Sequence, residues 1–396
     1  MQQKNSWLLP EGIEEVLPDD AKQLESLRRK LLDVFSCWGY SLVITPMIDY
    51  LDSLMTGSGH DLALQTFKLT DQLSGETLGI RADMTPQVAR IDAHNLKHNA
   101  PTRLCYVGTV LHTVGDPLEK TRSPMQMGAE LYGHNGRESD VEVISLMLEM
   151  LAMTGLTDVH LDLGHVGIYR ALSKQACLTS AQEAALFDAL QRKARPEIRE
   201  LIGELPVDEP LKTMLLKLPD LNGGKDTLDK AKIVLEKANE DVKQALLDLE
   251  SIADCLASVF PHLPLSFDLA ELRGYHYHTG VVFAAFVPQV GREIARGGRY
   301  DNIGRFFGRA RPATGFSADL KLLSSLSKNV SSTESREIIF APASNDRSLA
   351  ETIRDLRAEG RVVIRELPGQ ELDFKELGVT SILEKKNSNW IVKAIA

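Results

Sequence analysis

The stretch Glu271-Leu272-Arg273-Gly274-Tyr275-His276-Tyr277-His278-Thr279-Gly280 opens the segment around which the chain is organised, and the apolar run Val281-Val282-Phe283 follows it. Farther on stand Ala295-Arg296-Gly297-Gly298-Arg299-Tyr300-Asp301 and Thr314-Gly315-Phe316-Ser317-Ala318-Asp319-Leu320-Lys321. The alternation Tyr275, Tyr277, Thr279, followed by continuous apolar residues, predicts a strand through the whole first part. Gly297-Gly298 predicts a place where the backbone turns tightly or lies against a ligand. The last octet predicts a buried strand leading through Gly315 into an apolar helix, Leu320 to Leu326. Arginines set where strands, glycines and helix ends converge fit an anion or carboxylate site. A glycine-rich sheet corner with solvent-facing arginines fits the same pattern.

Outward from this segment, the sequence is that of an ordinary soluble protein of two or three domains: 396 residues, 43% hydrophobic and 25% charged. A formal net charge of -10 gives no general positive field for nucleic acid. Cys37, Cys105, Cys177 and Cys255 lie too far apart for a linear zinc motif or a disulfide scaffold, which points to buried thiols in a reducing compartment. No apolar signal core or membrane-length run is present, and the cytoplasm is the expected location.

Before the central segment, Leu24, Leu27, Leu31, Val34, Phe35 and Trp38 recur at helical spacing up to Gly39, with Asp19 or Asp20 as expected cap. Ser41 to Thr45 predicts a strand, either parallel or at an edge that meets another subunit. Phe67–Thr70 and Thr77–Ile80 predict a hairpin around Ser74-Gly75, and Thr85-Pro86 opens a helix to His94. Strands follow at 104–107 and 125–133, separated by a loop long enough to cover a ligand. A helix over 140–151 and a strand at Val159, Leu161 and Leu163 come next. From about 168 to 258 a helical insertion is expected, then a strand through Leu265, Phe267 and Leu269. The expected domains are a core over 1–325, a serine-rich linker over 326–335 and a small α/β unit over 336–396.

Phosphate-loop, HExxH, CxxC, GxSxG and GxGxxG patterns are all absent. His276 and His278 would share a strand face, but no third ligand stands nearby, so no metal and no cofactor are expected. Asp83, Glu130 and Arg273 come from segments able to converge. Two acids and a guanidinium suit a zwitterionic amino acid, acid against ammonium and guanidinium against carboxylate.

These residues carry a specific resemblance. The chain resembles a class II aminoacyl-tRNA synthetase core of the histidyl type over residues 8 to 325. Arg81-Ala82-Asp83-Met84-Thr85 is similar to that family's Arg-Pro-Glu-Gly-Thr element. Tyr106-Val107-Gly108 through Gln126-Met127-Gly128-Ala129-Glu130 is similar to its motif 2. Arg273-Gly274-Tyr275-His276-Tyr277-His278 stands for Arg-Gly-Leu-Asp-Tyr-Tyr, Gly297 to Asp301 for Gly-Gly-Arg-Tyr-Asp, and Thr314 to Lys321 for motif 3. The resemblance implies an α+β fold, an antiparallel sheet with flanking helices, a helical insertion and the small C-terminal α/β unit. It also implies a histidine pocket of Asp83, Thr85, Gln126, Glu130 and Arg273, with Tyr277 and His278 on its imidazole side.

Departures from the pattern bear on function. The motif 2 arginine is His112, the acid that orients adenine is Val114, and the motif 3 arginine is Lys321. A mostly neutral histidine supplies no permanent bidentate clamp, and valine accepts no hydrogen bond. The C-terminal unit offsets its basic residues with acids, so no grip on tRNA is expected. With these losses the chain resembles the regulatory subunits of ATP phosphoribosyltransferase. That family is non-catalytic and is required by a short catalytic subunit for the first step of histidine biosynthesis. The resemblance implies that catalytic subunit as partner, a dimer within a hetero-octamer, L-histidine as candidate ligand, and no tRNA or membrane. The alternative is an altered histidyl-tRNA synthetase paralogue with residual amino-acid activation or tRNA binding.

Overall fold

A computed structural model describes residues 7–55, 60–115, 121–271, 274–275, 277–327, 337–369 and 373–395. Helix α1 (Pro18–Cys37) buries Leu24, Leu27, Leu31 and Phe35, the stripe expected from their spacing. Its N-cap is Leu17, with no side-chain cap. Asp19 and Asp20 instead lie inside the first turn, beside the positive end of the helix. Gly39, at φ 79°, stops it. Strand β1 (Ser41–Leu42) is shorter than the five residues expected, because Arg81 takes the Thr45 carbonyl and hydroxyl at 2.8 Å each. After β2 (Ile48–Tyr50), α2 (Leu51–Met55) and α3 (His60–Gln65), the hairpin β3 (Phe67–Thr70) and β4 (Thr77–Ile80) joins β2 in a three-stranded sheet, β2-β4-β3. Helix α4 (Thr85–Arg90) runs on into a π-helical turn, Ile91–Leu96.

The chain then lays down β5 (Thr102–Thr109), β6 (Met125–Tyr132), α5 (Arg137–Met153) and β7 (His160–His165). The insertion follows as α6 (Val166–Gln175), α7 (Ser180–Gln191), α8 (Arg195–Gly203) and α9 (Glu209–Lys217), then a two-residue strand β8 (Asn222–Gly223), α10 (Asp226–Val234) and α11 (Glu240–Val259). A capping box between Thr179 and Gln182 starts α7, and Asn239 caps α11. The chain returns as β9 (Leu265–Asp268), β10 (Val281–Phe286), β11 (Glu293–Arg299), β12 (Ala313–Asp319) and α12 (Leu320–Leu326). Helix α12 has the bounds read from the sequence, with the Asp319 side chain accepting from the Lys321 amide at the helix start.

Nine strands form one sheet in the order β1-β5-β6-β12-β11-β10-β7-β9-β8. The pairs β1–β5 and β7–β9 are parallel and the remainder antiparallel. Alternation along β6 sends Met127, Ala129 and Leu131 into a core shared with α1, α5, α12 and the insertion, where Phe35 meets Phe316 edge-on at 6.0 Å. The opposite face carries Gln126, Gly128, Glu130 and Tyr132 towards a second cluster containing Met84, Val88, Tyr106, Tyr300 and Ile303. That face positions the site.

Two expectations for the central segment change. Residues 274–275 and 277–280 are turn and irregular backbone rather than strand, with β10 starting only at Val281. Gly274 takes φ 67°, and the amides of Tyr277 and His278 both return to its carbonyl at 2.8 and 2.7 Å. His278 therefore stands on no strand, and its expected companion His276 lies outside the described residues. Gly297 and Gly298 lie within β11, paired on both sides, and make no turn. Their missing side chains clear space: a Cβ on Gly298 would come 2.6 Å from the His278 ring.

The chain divides into two compact units, residues 1–330 and 331–396. In the second, β13 (Ile338–Ala341), α13 (Arg347–Ala358), β14 (Val362–Arg365), β15 (Ser381–Lys386) and β16 (Asn389–Ala394) form a four-stranded sheet, β14-β13-β15-β16, with one helix on it. Ile339, Leu349, Ile353, Val363 and Leu383 fill its small core. Most of the expected linker lies outside the described residues. No helix among the described residues is long and apolar enough to cross a membrane.

Candidate functional site

The site is built on the even-numbered face of β6 and the start of α4. Glu130 is 1% exposed. Its Oε1 accepts from the Thr85 hydroxyl at 3.1 Å and from the Tyr106 hydroxyl at 3.0 Å. Beside it, Gln126 donates from Nε2 to Asp83 Oδ1 at 2.7 Å and accepts at Oε1 from the Met84 amide at 2.8 Å. The Asp83 carboxylate also caps the Thr85 amide at 3.0 Å. Four of the residues expected in a pocket, Asp83, Thr85, Gln126 and Glu130, thus meet in one network. Arg273 lies outside the described residues.

Burial pushes the Glu130 carboxyl well above the usual carboxylate range, and the neighbouring Asp83 adds to the shift, against the donors Tyr106 and Thr85. Its Oε2 has no hydrogen-bond partner among the described residues, and neither do the buried hydroxyls of Tyr132, Tyr277 and Tyr300. Gly315, paired with Glu130 across β6 and β12, makes room for this oxygen, since a Cβ there would occupy the carboxylate's place. Tyr277 stacks on Tyr300 at 4.8 Å, and His278 meets Tyr277 edge-on at 5.3 Å. The result is a buried carboxyl group walled by aromatic rings whose hydroxyls have no hydrogen-bond partner among the described residues. Buried polar groups are ordinarily satisfied, so several unsatisfied ones together mark a place for polar partners.

The three positions that depart from the synthetase pattern hold the scaffold instead. His112 Nε2 contacts the Ala82 carbonyl at 2.9 Å, which fixes it as the protonated nitrogen. Its backbone pairs with Arg122, whose guanidinium also lies 5.0 Å over the Phe67 ring. Val114 is 72% exposed. The Lys321 ammonium donates to the Ser123 carbonyl at 2.8 Å.

Arg299 and Arg296, the described arginines of the quoted segments, are engaged with protein acids and carbonyls. Arg299 is buried and donates to Asp140 at 2.9 and 3.1 Å, to Asp301 at 3.2 Å, to Ser139 at 2.8 Å and to the carbonyls of His134 and Gly136. Asp140, although paired with it, is pushed up to about 6 by burial. Arg296 is an exposed partner of Glu293 at 3.1 Å. Among the described residues no group of three or more His, Cys, Asp or Glu gathers as metal ligands would.

Tyr106, Tyr132 and Tyr300 belong to the site and were not among the expected pocket residues. Period two along β6 puts Tyr132 on the face of Glu130, a signal present in the sequence. Tyr106 is placed by register alone, opposite Gly128 and one pleat from Glu130.

Comparison with known proteins agrees with this geometry. Residues 12–323 match the histidyl-tRNA synthetase family, and residues 336–393 match the ATP phosphoribosyltransferase subunit HisZ C-terminal domain. An ATP phosphoribosyltransferase regulatory subunit of Methylococcus capsulatus is 57% identical over 98% of this chain and 96% of its own. A crystal structure from Bacillus halodurans, described as an ATP phosphoribosyltransferase regulatory subunit/histidyl-tRNA synthetase, superposes with a TM-score of 0.82 at 29% identity, covering 96% of this chain and 97% of that one. The histidyl-tRNA synthetase of Nostoc shares the fold, with a TM-score of 0.75 at 18% identity over 99% and 97% of the two chains. A synthetase-like core joined to that C-terminal domain, and full-length identity above one half, place the chain in the family of ATP phosphoribosyltransferase regulatory subunits.

Proposed function

We propose that this chain is the non-catalytic regulatory partner of a short-form ATP phosphoribosyltransferase catalytic subunit in the first step of L-histidine biosynthesis, and that its pocket binds L-histidine as the regulator. One observation carries this reading. The acid network of Asp83, Thr85, Gln126 and Glu130 is assembled, while the adenylation positions hold a histidine and a lysine spent on backbone carbonyls and a solvent-facing valine. Adenylation needs fixed positive charge on the phosphate, and stabilising that charge is usually the largest catalytic contribution. A recognition shell without it suits a sensor, since control requires only differential binding between states.

The chain acts in the cytoplasm as a dimer within a hetero-octamer, without tRNA. Leu42, Ile44, Met47, Ile48 and Tyr50 support the dimer: they are 42–87% exposed along two sheet-edge strands and the link between them. The test of the pocket is calorimetric titration of L-histidine into wild type and Glu130→Ala without the catalytic subunit. The variant should bind more weakly by roughly 1.5–3 kcal/mol, the scale of a hydrogen bond to a charged group. No heat from wild type at millimolar histidine, or equal affinity in the variant, would remove histidine from this pocket.

A further inference from the structure

The turn that carries Tyr277 and His278 is held from outside the pocket, by the helical insertion. Among the described residues, two amides of its main chain return to the Gly274 carbonyl, the Thr279 amide donates to the Arg299 carbonyl at 2.7 Å, and the Gly280 carbonyl accepts from the Val166 amide of α6 at 3.1 Å. The carbonyls of Tyr275 and His278 point the other way, and both accept from one guanidinium nitrogen of Arg170 on α6, at 2.8 and 3.0 Å. The same guanidinium lies 4.8 Å over the Tyr275 ring. That ring is gripped further by Tyr169 of α6, edge-on at 5.4 Å, and by Phe187 of α7 at 5.1 Å. Its hydroxyl donates to the Glu183 carboxylate, and the Glu183 carbonyl accepts from the Tyr169 hydroxyl at 2.7 Å.

Tyr275 and Tyr277 therefore face opposite sides of one turn. The first is locked into α6 and α7, and the second is stacked on Tyr300 over the acid network. A guanidinium that joins two carbonyls and an aromatic face uses the features lysine lacks. We propose that Arg170, with Tyr275 and Glu183, is a positioning element of the helical insertion that pre-forms the Tyr277–His278 wall of the pocket. It touches no ligand. Its effect is to order the wall before binding, so that the ligand does not bear that ordering cost. By reciprocity, a ligand seated against Tyr277 and His278 rigidifies the contact with α6 and α7. A bland packing role would hold α6 on the sheet without altering the wall.

This inference rests on the amino-acid-pocket reading, and the experiment separates the two. Hydrogen exchange is measured on ligand-free, full-length wild type, Arg170→Ala and Tyr275→Phe, and L-histidine is then titrated into each. Loss of two charge-assisted bonds should speed exchange of the His278 and Thr279 amides by at least about tenfold in Arg170→Ala, with β6 amides and the urea midpoint of the core nearly unchanged. Histidine affinity should fall by roughly 5- to 150-fold, with Tyr275→Phe between the two. If wild type fails to bind histidine, the pocket reading falls and the exchange arm still decides the clamp. Unchanged exchange at residues 278 and 279 in both variants would overturn the inference, as would wild-type histidine affinity in Arg170→Ala. If Arg170→Ala loses the core transition altogether, Tyr275→Phe, which removes only a hydroxyl, decides by the same two readouts.

Discussion

The burial of Glu130 makes a measurable demand on stability. Burial raises its carboxyl in the folded chain above the unfolded value of about 4.3. An acid shifted this way contributes stability that is fully present below the unfolded value and is lost as pH rises through the folded one. Within that window the folded state binds one more proton than the unfolded state, so stability falls by about 1.4 kcal/mol per pH unit from this group. Glu130→Gln keeps the shape and an oxygen acceptor for Thr85 and Tyr106 at 3.1 and 3.0 Å, and it cannot titrate. The stability of the variant relative to wild type should therefore rise with pH above the unfolded value and continue upward until the folded value is passed. Urea unfolding of both proteins at half-unit pH steps reads this difference, and all other titrating groups cancel. A difference that stays flat from pH 5 upward would refute the claim that burial raises the Glu130 carboxyl.

Two further outcomes follow from the packing. Gly315→Ala puts a methyl where the Glu130 carboxylate lies, beside the Tyr300 hydroxyl, and should cost about 1–3 kcal/mol in urea unfolding, with histidine affinity lowered more than by changes on the core face. Ile44 is 87% exposed, so Ile44→Asp should leave the fold stable and shift the chain from dimer to monomer in sedimentation at micromolar concentration. A wild type that is already a stable monomer would contradict the interface.

Periodicity read the architecture where neighbours left it undisturbed. The strand-to-helix passage from Thr314 to Leu326 and the hairpin of β3 and β4 follow directly from apolar spacing and turn residues. It failed where side chains from distant elements took over backbone groups. Arg170 claims the carbonyls that a strand through Tyr275 to Thr279 would have offered a neighbour. Arg81 does the same at Thr45 and shortens β1. Gly297-Gly298 reads as a turn in isolation, but it lies in mid-strand because the His278 and Phe283 rings need the space. At the site, Asp83, Thr85, Gln126 and Glu130 were legible as a set from the motif residues. The tyrosines around Glu130 were not, because strand register and the glycine gap at 315 decide which rings reach the carboxyl. The buried role of Arg299 was equally hidden, since its carboxylate partner Asp140 stands 159 residues away on α5.

The regulatory assignment is tested most directly by the steady-state phosphoribosyl transfer rate of the short catalytic subunit as this chain is titrated into it. The account predicts no transfer by this chain alone, a rate that rises with its concentration to a plateau at a fixed subunit ratio, and no histidine-dependent exchange of pyrophosphate with ATP in the same preparation. A catalytic subunit whose rate is indifferent to this chain, or pyrophosphate exchange near a synthetase rate by the pure chain, would contradict it.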